Sequence, residues 1–242
     1  IKSIQAYVDL TMCLFKFECD FYDQKNMQSF FLGHPFSQLR PQNNDEVIKK
    51  HSLDASRDFI SILPGSRVSE ISQLMPVYLD AAKKLLNINA NTFFLIPAAN
   101  KKLAEMIEST KGINEIPYKL SIDSAQDFLS LSSISIVTSG TASLEAAVLG
   151  SVPIICYKTN KLNYAILSRL LRTPFVGLPN LLLQDHIFPE LIQRDLTPEA
   201  IVNSFSKISS EPEKYQSYLS QINDSMLGEG FEVAAGAIDS LL

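Results

Sequence analysis

Phe59-Ile60-Ser61-Ile62-Leu63-Pro64-Gly65-Ser66-Arg67 decides the fold class. Five residues suited to a buried strand end at a Pro-Gly turn. A helical pattern follows at once, with Ile71, Leu74, Met75, Tyr78, Ala82 and Leu85 on one face at a 3.6-residue period. The same unit recurs downstream. Residues 92–96 read as a strand, 101–109 and 123–131 as helices. Ile134-Ser135-Ile136-Val137-Thr138 is a strand that runs into Ser139-Gly140-Thr141, with a helix over 142–149 ended by Gly150 and a further buried strand over 153–157. Residues 162–171 read as helical, and from 197 onward the pattern is two or three helices with no further strand. Apolar strands alternating with amphipathic helices predict an α/β fold, a parallel sheet covered on both faces.

Upstream, 9–15 is a compact apolar strand, 16–25 is mixed, and 29–32 is a short strand ending in Gly33-His34-Pro35. Pro41-Gln42-Asn43-Asn44-Asp45 is polar and turn-rich, the strongest linker signal in the chain. The chain has 242 residues, 46% apolar and 19% charged, enough for a sizeable core in one large domain or two modest ones. A net charge of −5 provides no global positive field, which argues against nucleic acid as a partner and leaves only a local basic site open. Three cysteines (Cys13, Cys19, Cys156) without a C-x-x-C pair exclude a disulfide scaffold and argue against structural zinc, so buried reduced thiols are expected. No apolar run approaches the ~18–20 residues that span a bilayer, since 142–157 is interrupted by Glu145, Gly150 and Pro153. The opening Ile1-Lys2-Ser3 has neither a Met nor a signal-peptide pattern. The expectation is a soluble chain that is part of something longer or has lost its start.

In parallel α/β folds ligands bind beyond the carboxyl ends of strands, so the strand-to-helix turns are where chemistry is sought. Two stand out. In Leu63-Pro64-Gly65-Ser66-Arg67 with Glu70, Gly65 permits a tight turn, Ser66 can cap the helix, and exposed N–H groups with the Arg67 guanidinium suit an anion. The competing reading is an ordinary helix start with Arg67 paired to Glu70. In Thr138-Ser139-Gly140-Thr141-Ala142-Ser143-Leu144-Glu145, small residues allow close backbone approach, and hydroxyls and helix N–H groups can hold phosphate oxygens. Glu145 lies one turn beyond Thr141 among apolar neighbours, placed to bind sugar hydroxyls; the competing reading is a carboxylate near a positive helix end. No G-x-x-x-x-G-K-[ST] or G-x-S-x-G occurs, and Gly228-Glu229-Gly230 reads as a break between helices. The three histidines are far apart. His34 reads as a structural turn residue, and His51 as solvated.

Gly33-His34-Pro35, the Leu63–Arg67 turn with Glu70, Ser139 to Glu145, Leu178-Pro179-Asn180, and Pro189-Glu190-Leu191-Ile192-Gln193 occur in this order. Together they closely resemble the lipid-A-disaccharide synthase family of GT-B glycosyltransferases, from about residue 8 to 193 and more weakly beyond. The resemblance implies that residues 1–40 are the end of an N-terminal Rossmann-like domain whose greater part lies ahead of this chain. It implies a linker at 41–57, a Rossmann-like nucleotide-sugar domain at 58–195, and C-terminal helices at 196–242. It implies inverting transfer of 2,3-diacylglucosamine from its UDP donor to 2,3-diacylglucosamine 1-phosphate, without metal or organic cofactor. The setting would be the bacterial cytoplasm, at the inner face of the membrane, with a homodimer as one assembly. Substrate-binding residues are then expected at Gly65, Ser66, Arg67, Ser139, Gly140, Thr141, Ser143 and Glu145, the last on the UDP ribose, with Asn180 and Gln193 on donor sugar or phosphate. The base falls in the missing N-terminal part. Lys16 stands where the family usually has Pro before Phe17-Glu18, which alters that turn. Another UDP-sugar transferase, a UDP-GlcNAc epimerase-like enzyme and a non-catalytic nucleotide-sugar-binding module are the alternatives.

Overall fold

A computed structural model describes residues 2–159 and 174–239. The helix expected over 162–171 lies outside the described residues. The chain divides into two compact units, Ile1–Leu39 with Ser220–Leu242, and Arg40–Leu219.

In the first unit, helix α1 (Lys2–Tyr7) precedes strand β1 (Thr11–Cys13), helix α2 (Lys16–Asp23) and strand β2 (Ser29–Phe31). The two strands pair in parallel, Thr11 opposite Ser29 and Cys13 opposite Phe31. The apolar run at 9–15 thus yields only three strand residues, because Phe15 already turns into α2 as its N-cap. Glu18 Oε2 accepts from Leu14 N and Phe15 N, both at 3.0 Å, and Lys16 pairs with Asp20 at 3.5 Å. The departure from Pro at position 16 therefore leaves a well-formed helix start. His34 is a turn residue: its Nδ1 accepts from Phe36 N at 3.1 Å and its ring stacks on Phe15. Burial lowers its pKa against the opposing pull of Glu18.

The second unit carries the site. Strands β3 (Asp58–Leu63), β4 (Thr92–Ala98), β5 (Tyr118–Ile122), β6 (Ile134–Thr138), β7 (Val152–Tyr157) and β8 (Glu190–Ile192) form one sheet. Every pairing is parallel, in the order β5-β4-β3-β6-β7-β8. Helices α4 (Val68–Ile88) and α5 (Lys101–Glu108) follow β3 and β4, and α6 (Ala125–Leu131) and α7 (Thr141–Val148) follow β5 and β6. With right-handed crossovers this order puts α4 and α5 on one face and α6 and α7 on the other. The chain steps outward from β3 through β4 to β5, then returns to the far side of β3. The crevice between β3 and β6 is therefore the point where strand order reverses.

Burial follows position. Ile62, Phe94, Leu95, Ile136, Val137 and Ile154 are sealed, because β4, β3, β6 and β7 are covered on both faces. β5 and β8 were not expected from sequence. Both are half-exposed edge strands, so neither shows a continuous apolar run. The turn-rich stretch read as linker also holds helix α3 (Asn44–His51), started by Asn43, whose side chain accepts from Asp45 N and Glu46 N. Its last residue corrects a second expectation. His51 is buried rather than solvated, with Nε2 2.7 Å from Asp127 Oδ2 and its ring against Phe128. Helix α8 (Leu178–Leu183) precedes β8, and α9 (Pro198–Ser210), α10 (Pro212–Ser225) and α11 (Phe231–Asp239) complete the chain as the expected terminal helices. Cys13, Cys19 and Cys156 are free, buried thiols. No described helix is long and apolar enough to cross a membrane.

Candidate functional site

A pocket of about 570 Å³ opens at the strand reversal. Its walls are the turn after β3, from Leu63 through Arg67 with Glu70, and the turn after β6, from Thr138 to Ala142 with Glu145. The two motifs singled out in sequence, which begin 75 residues apart at Leu63 and Thr138, thus share one cavity because β3 and β6 are neighbours. Beneath them Thr138 joins the strands: its hydroxyl donates to Leu63 O at 3.0 Å and lies 3.4 Å from Tyr78 Oη. Tyr78 and Cys156 are sealed below. Burial pushes the Tyr78 hydroxyl far up and the Cys156 thiol up to about 12, so both remain neutral at ordinary pH.

On the β3 side the residue expected to cap α4, Ser66, does not do so. The cap is Glu70, whose Oε2 accepts from Ser66 N at 3.0 Å and Arg67 N at 3.1 Å, while Oε1 takes Arg67 Nη1 at 3.0 Å. The amides expected to meet an anion are thus occupied by the protein's own carboxylate. The Arg67 side chain is 78% exposed, and an exposed pair of this kind is worth only ~0.2–1 kcal/mol, so the guanidinium can be drawn to a stronger anion at little cost.

The β6 side differs. Helix α7 has Gly140 at its N-cap and no side-chain cap. Gly140 is at φ +144°, ψ −161°, a region that side chains rarely adopt, and nothing lies within 4 Å of where its Cβ would be. Ser139 Oγ donates to Val176 O at 3.1 Å and Ser143 Oγ to Gly140 O at 2.7 Å, so both hydroxyls brace the turn. Thr141 is exposed at the pocket wall, and the positive end of α7 faces the cavity. Glu145, half-buried one turn further on, accepts from Gln126 Nε2 at 3.1 Å.

Of the ten residues expected to bind substrate, the pocket gathers Gly65, Ser66, Arg67, Ser139, Gly140, Thr141 and Glu145. Ser143 sits just behind it. Asn180 and Gln193 are placed elsewhere, on α8 and after β8. Asn180 is sealed: Nδ2 donates to Phe188 O at 2.9 Å and Glu190 Oε1 at 2.8 Å, and Oδ1 accepts from Phe188 N at 2.8 Å and Ile187 N at 3.1 Å. Gln193 takes φ +55°, its N–H donates to Tyr157 O at 2.8 Å, and among the described residues its buried Nε2 has no partner. Sequence reasoning missed the third wall: Pro97 and Ala98 at the end of β4 with Ala99 beyond it, and Asp123, Ser124 and Ala125 after β5. Asp123 holds φ +51° with its N–H on Ala98 O at 3.1 Å. Once β5 is recognised as a strand, its carboxyl-end turn is the place to look.

Comparison with known proteins follows this geometry. The family model for lipid-A-disaccharide synthetase matches residues 1–233. The lipid-A-disaccharide synthase of Alcanivorax borkumensis is 34% identical, covering 100% of this chain and 65% of its own length. That of Acinetobacter baylyi is 35% identical over 89% of this chain and 58% of its own length. The chain thus spans about three fifths of these curated relatives. Among solved structures, S. aureus MnaA in complex with UDP superimposes with a TM-score of 0.58 at 12% identity, covering 98% of this chain and 60% of that one. WaaG, a glycosyltransferase involved in lipopolysaccharide biosynthesis, gives 0.51 at 12% identity over 88% of this chain and 57% of its own. These likenesses establish a shared fold.

Proposed function

The chain belongs to the lipid-A-disaccharide synthetase family, and on that premise we propose that it is the nucleotide-sugar-binding part of an inverting glycosyltransferase. Residues 58–195 are the donor domain, 1–40 the end of an N-terminal domain whose remainder lies outside this chain, and 196–242 the closing helices. The donor is UDP-2,3-diacylglucosamine and the acceptor 2,3-diacylglucosamine 1-phosphate. The products are the β-1,6-linked disaccharide 1-phosphate and UDP. Because both substrates are acylated, the enzyme works in the cytoplasm against the inner face of the membrane.

The observation that carries this reading is that the turns after β3 and β6 meet in one pocket at the strand reversal. In the reaction the acceptor hydroxyl attacks the anomeric carbon while its proton passes to a base. The bond from that carbon to the diphosphate breaks, leaving negative charge on UDP. This chain's task is to hold the departing group. The uncapped start of α7 directs N–H groups at a phosphate oxygen, and Arg67 leaves its exposed pair with Glu70 to bind another. Gly65 and Gly140 let the backbone approach, and Ser66, Ser139, Thr141 and Ser143 shape the two turns. Glu145 accepts from the ribose hydroxyls. Asn180 and Gln193 order the segment bordering the donor sugar. The base that activates the acceptor lies ahead of residue 1.

Titration of the chain with UDP, followed by NMR or calorimetry, tests the assignment. Arg67→Ala and Glu145→Ala are each expected to weaken UDP by about tenfold, the scale of one charge-assisted hydrogen bond, with unchanged circular dichroism. Normal UDP binding by both variants would place the nucleotide elsewhere. The chain alone is expected to bind UDP without turnover, and transferase activity from residues 1–242 would overturn the placement of the base.

A further inference from the structure

Glu145, unlike Glu70, is a pocket carboxylate whose side chain is not consumed by backbone amides. Among the described residues its one side-chain hydrogen bond is to Gln126, whose Nε2 donates to Oε1 at 3.1 Å. A carboxylate offers about four acceptor positions, so this bond orients the group and leaves the Oε2 side available. Gln126 is itself well placed to do so. It is the second residue of α6, directly after the pocket residues Ser124 and Ala125. The helix is anchored beside Gln126, where Asp127 Oδ2 takes His51 Nε2 at 2.7 Å and Lys50 Nζ at 2.6 Å, and Ser130 Oγ accepts from Gln42 N at 3.0 Å. The amide is therefore presented to Glu145 from an anchored helix.

A glutamate that rotates freely must be ordered when it grips a ligand, and that ordering subtracts from affinity. We infer that Gln126 is a positioning residue: by fixing Oε1 it aims Oε2 of Glu145 at the vicinal hydroxyls of a ribose and so makes the site selective for ribonucleotides over 2′-deoxyribonucleotides. This rests on the reading of Glu145 as the ribose acceptor. Discrimination of this kind is strong where a buried polar group is left unpaired by the analogue lacking a hydroxyl.

The test is calorimetric or NMR titration of the whole chain with UDP and with 2′-deoxy-UDP, for wild type, Glu145→Ala, Gln126→Leu and Gln126→Glu. The readout is the ratio of the two dissociation constants on each protein, which partial unfolding cannot change because it scales both equally. Wild type is expected to prefer UDP by about tenfold, the scale of one hydrogen bond to a charged group, and Glu145→Ala to lose that preference. Gln126→Leu is expected to fall to about twofold, and Gln126→Glu to fall as far, since its like charge turns Glu145 away. If Glu145→Ala loses the preference while Gln126→Leu keeps it, the role of Gln126 is refuted and the ribose reading stands. If Glu145→Ala keeps the preference, or wild type shows none, the ribose reading falls and takes the inference with it.

Discussion

Gly65→Ala should be among the most damaging single-methyl changes in this protein, and the structure says by how much. Gly65 holds φ +102°, and an ideal Cβ there would lie 2.8 Å from Glu70 Cβ and closer still to the Glu70 carboxylate. Ordinary contact begins near 3.4 Å, so about 0.6 Å of movement (3.4 less 2.8) must come from the α4 backbone as well as from the carboxylate. A left-handed backbone costs an Ala ~1–2 kcal/mol relative to Gly. Moving Glu70 also loosens its grip on Ser66 N and Arg67 N, a cap worth ~0.5–2 kcal/mol. The sum is about 1.5–4 kcal/mol. Gly140→Ala is the control from the opposite wall: its backbone is strained, but nothing lies within 4 Å, so only the ~1–3 kcal/mol of strain applies and the open space allows relaxation. Urea unfolding followed by far-ultraviolet circular dichroism, with the slope checked for constancy, measures both. With comparable strain at the two glycines, Gly65→Ala should exceed Gly140→Ala by about 0.5–2 kcal/mol, the cap term alone. Equal losses, or a smaller one at Gly65, would refute the clash with Glu70 as the operative cause.

Asn180→Ala should cost about 2–4 kcal/mol in thermal or urea unfolding, since it leaves Phe188 N, Phe188 O and Ile187 N without their partner in a sealed site; a loss below ~0.5 kcal/mol would contradict the geometry. Asp127→Asn should cost about 1–3 kcal/mol at pH 7 by weakening its bonds to His51 and Lys50. Burial works to raise the Asp127 pKa, but hydrogen bonds from Lys50 and His51, with their charges, prevail and hold it below the ordinary carboxylate value. A lowered carboxylate pKa stabilises the fold above the unfolded value of ~3.9 and ceases to do so as pH falls beneath it. The difference between wild type and Asp127→Asn should accordingly be flat from pH 7 to about 5 and shrink below about pH 4, as read from urea midpoints across that range.

What could be read from the sequence follows what is local. The central strands β3, β4, β6 and β7 announce themselves because burial on both faces favours apolar runs such as Phe93-Phe94-Leu95-Ile96. β5 and β8 lie at the sheet edges, where Tyr118-Lys119-Leu120-Ser121-Ile122 need only be half-buried, and their pattern dissolves into that of a loop. The site divides in the same way. The turns after β3 and β6 are strand-turn-helix motifs within ten residues, so their chemistry is visible. The turn after β5 is hidden because its strand is. His51 reads as solvated because its partner, Asp127, is 76 residues away. Asn180 looks like a candidate ligand contact from its motif, yet its bonds run to residues 187–190, which only folding brings together.

One local spacing separates the two pocket helices more sharply than composition does. Glu18 and Glu70 each stand at the third helical position, and each receives two successive backbone N–H groups from the turn before it. A carboxylate at that position fills its own helix start. In α7 the third position is Ser143, which turns back to Gly140 O, and the acid comes two residues later at Glu145. At the fifth position it cannot reach back to the first amides, so the start of α7 stays uncapped and the carboxylate is left to Gln126 and the pocket. The two turns are thus unequal partners for an anionic ligand. The α4 turn contributes the mobile cation of Arg67, while its amides are held by Glu70. The α7 turn contributes its uncapped amides and the Glu145 carboxylate. A Ser rather than a Glu at position 143 is what keeps that second turn open, and under the proposed function it is what leaves those amides to the departing diphosphate.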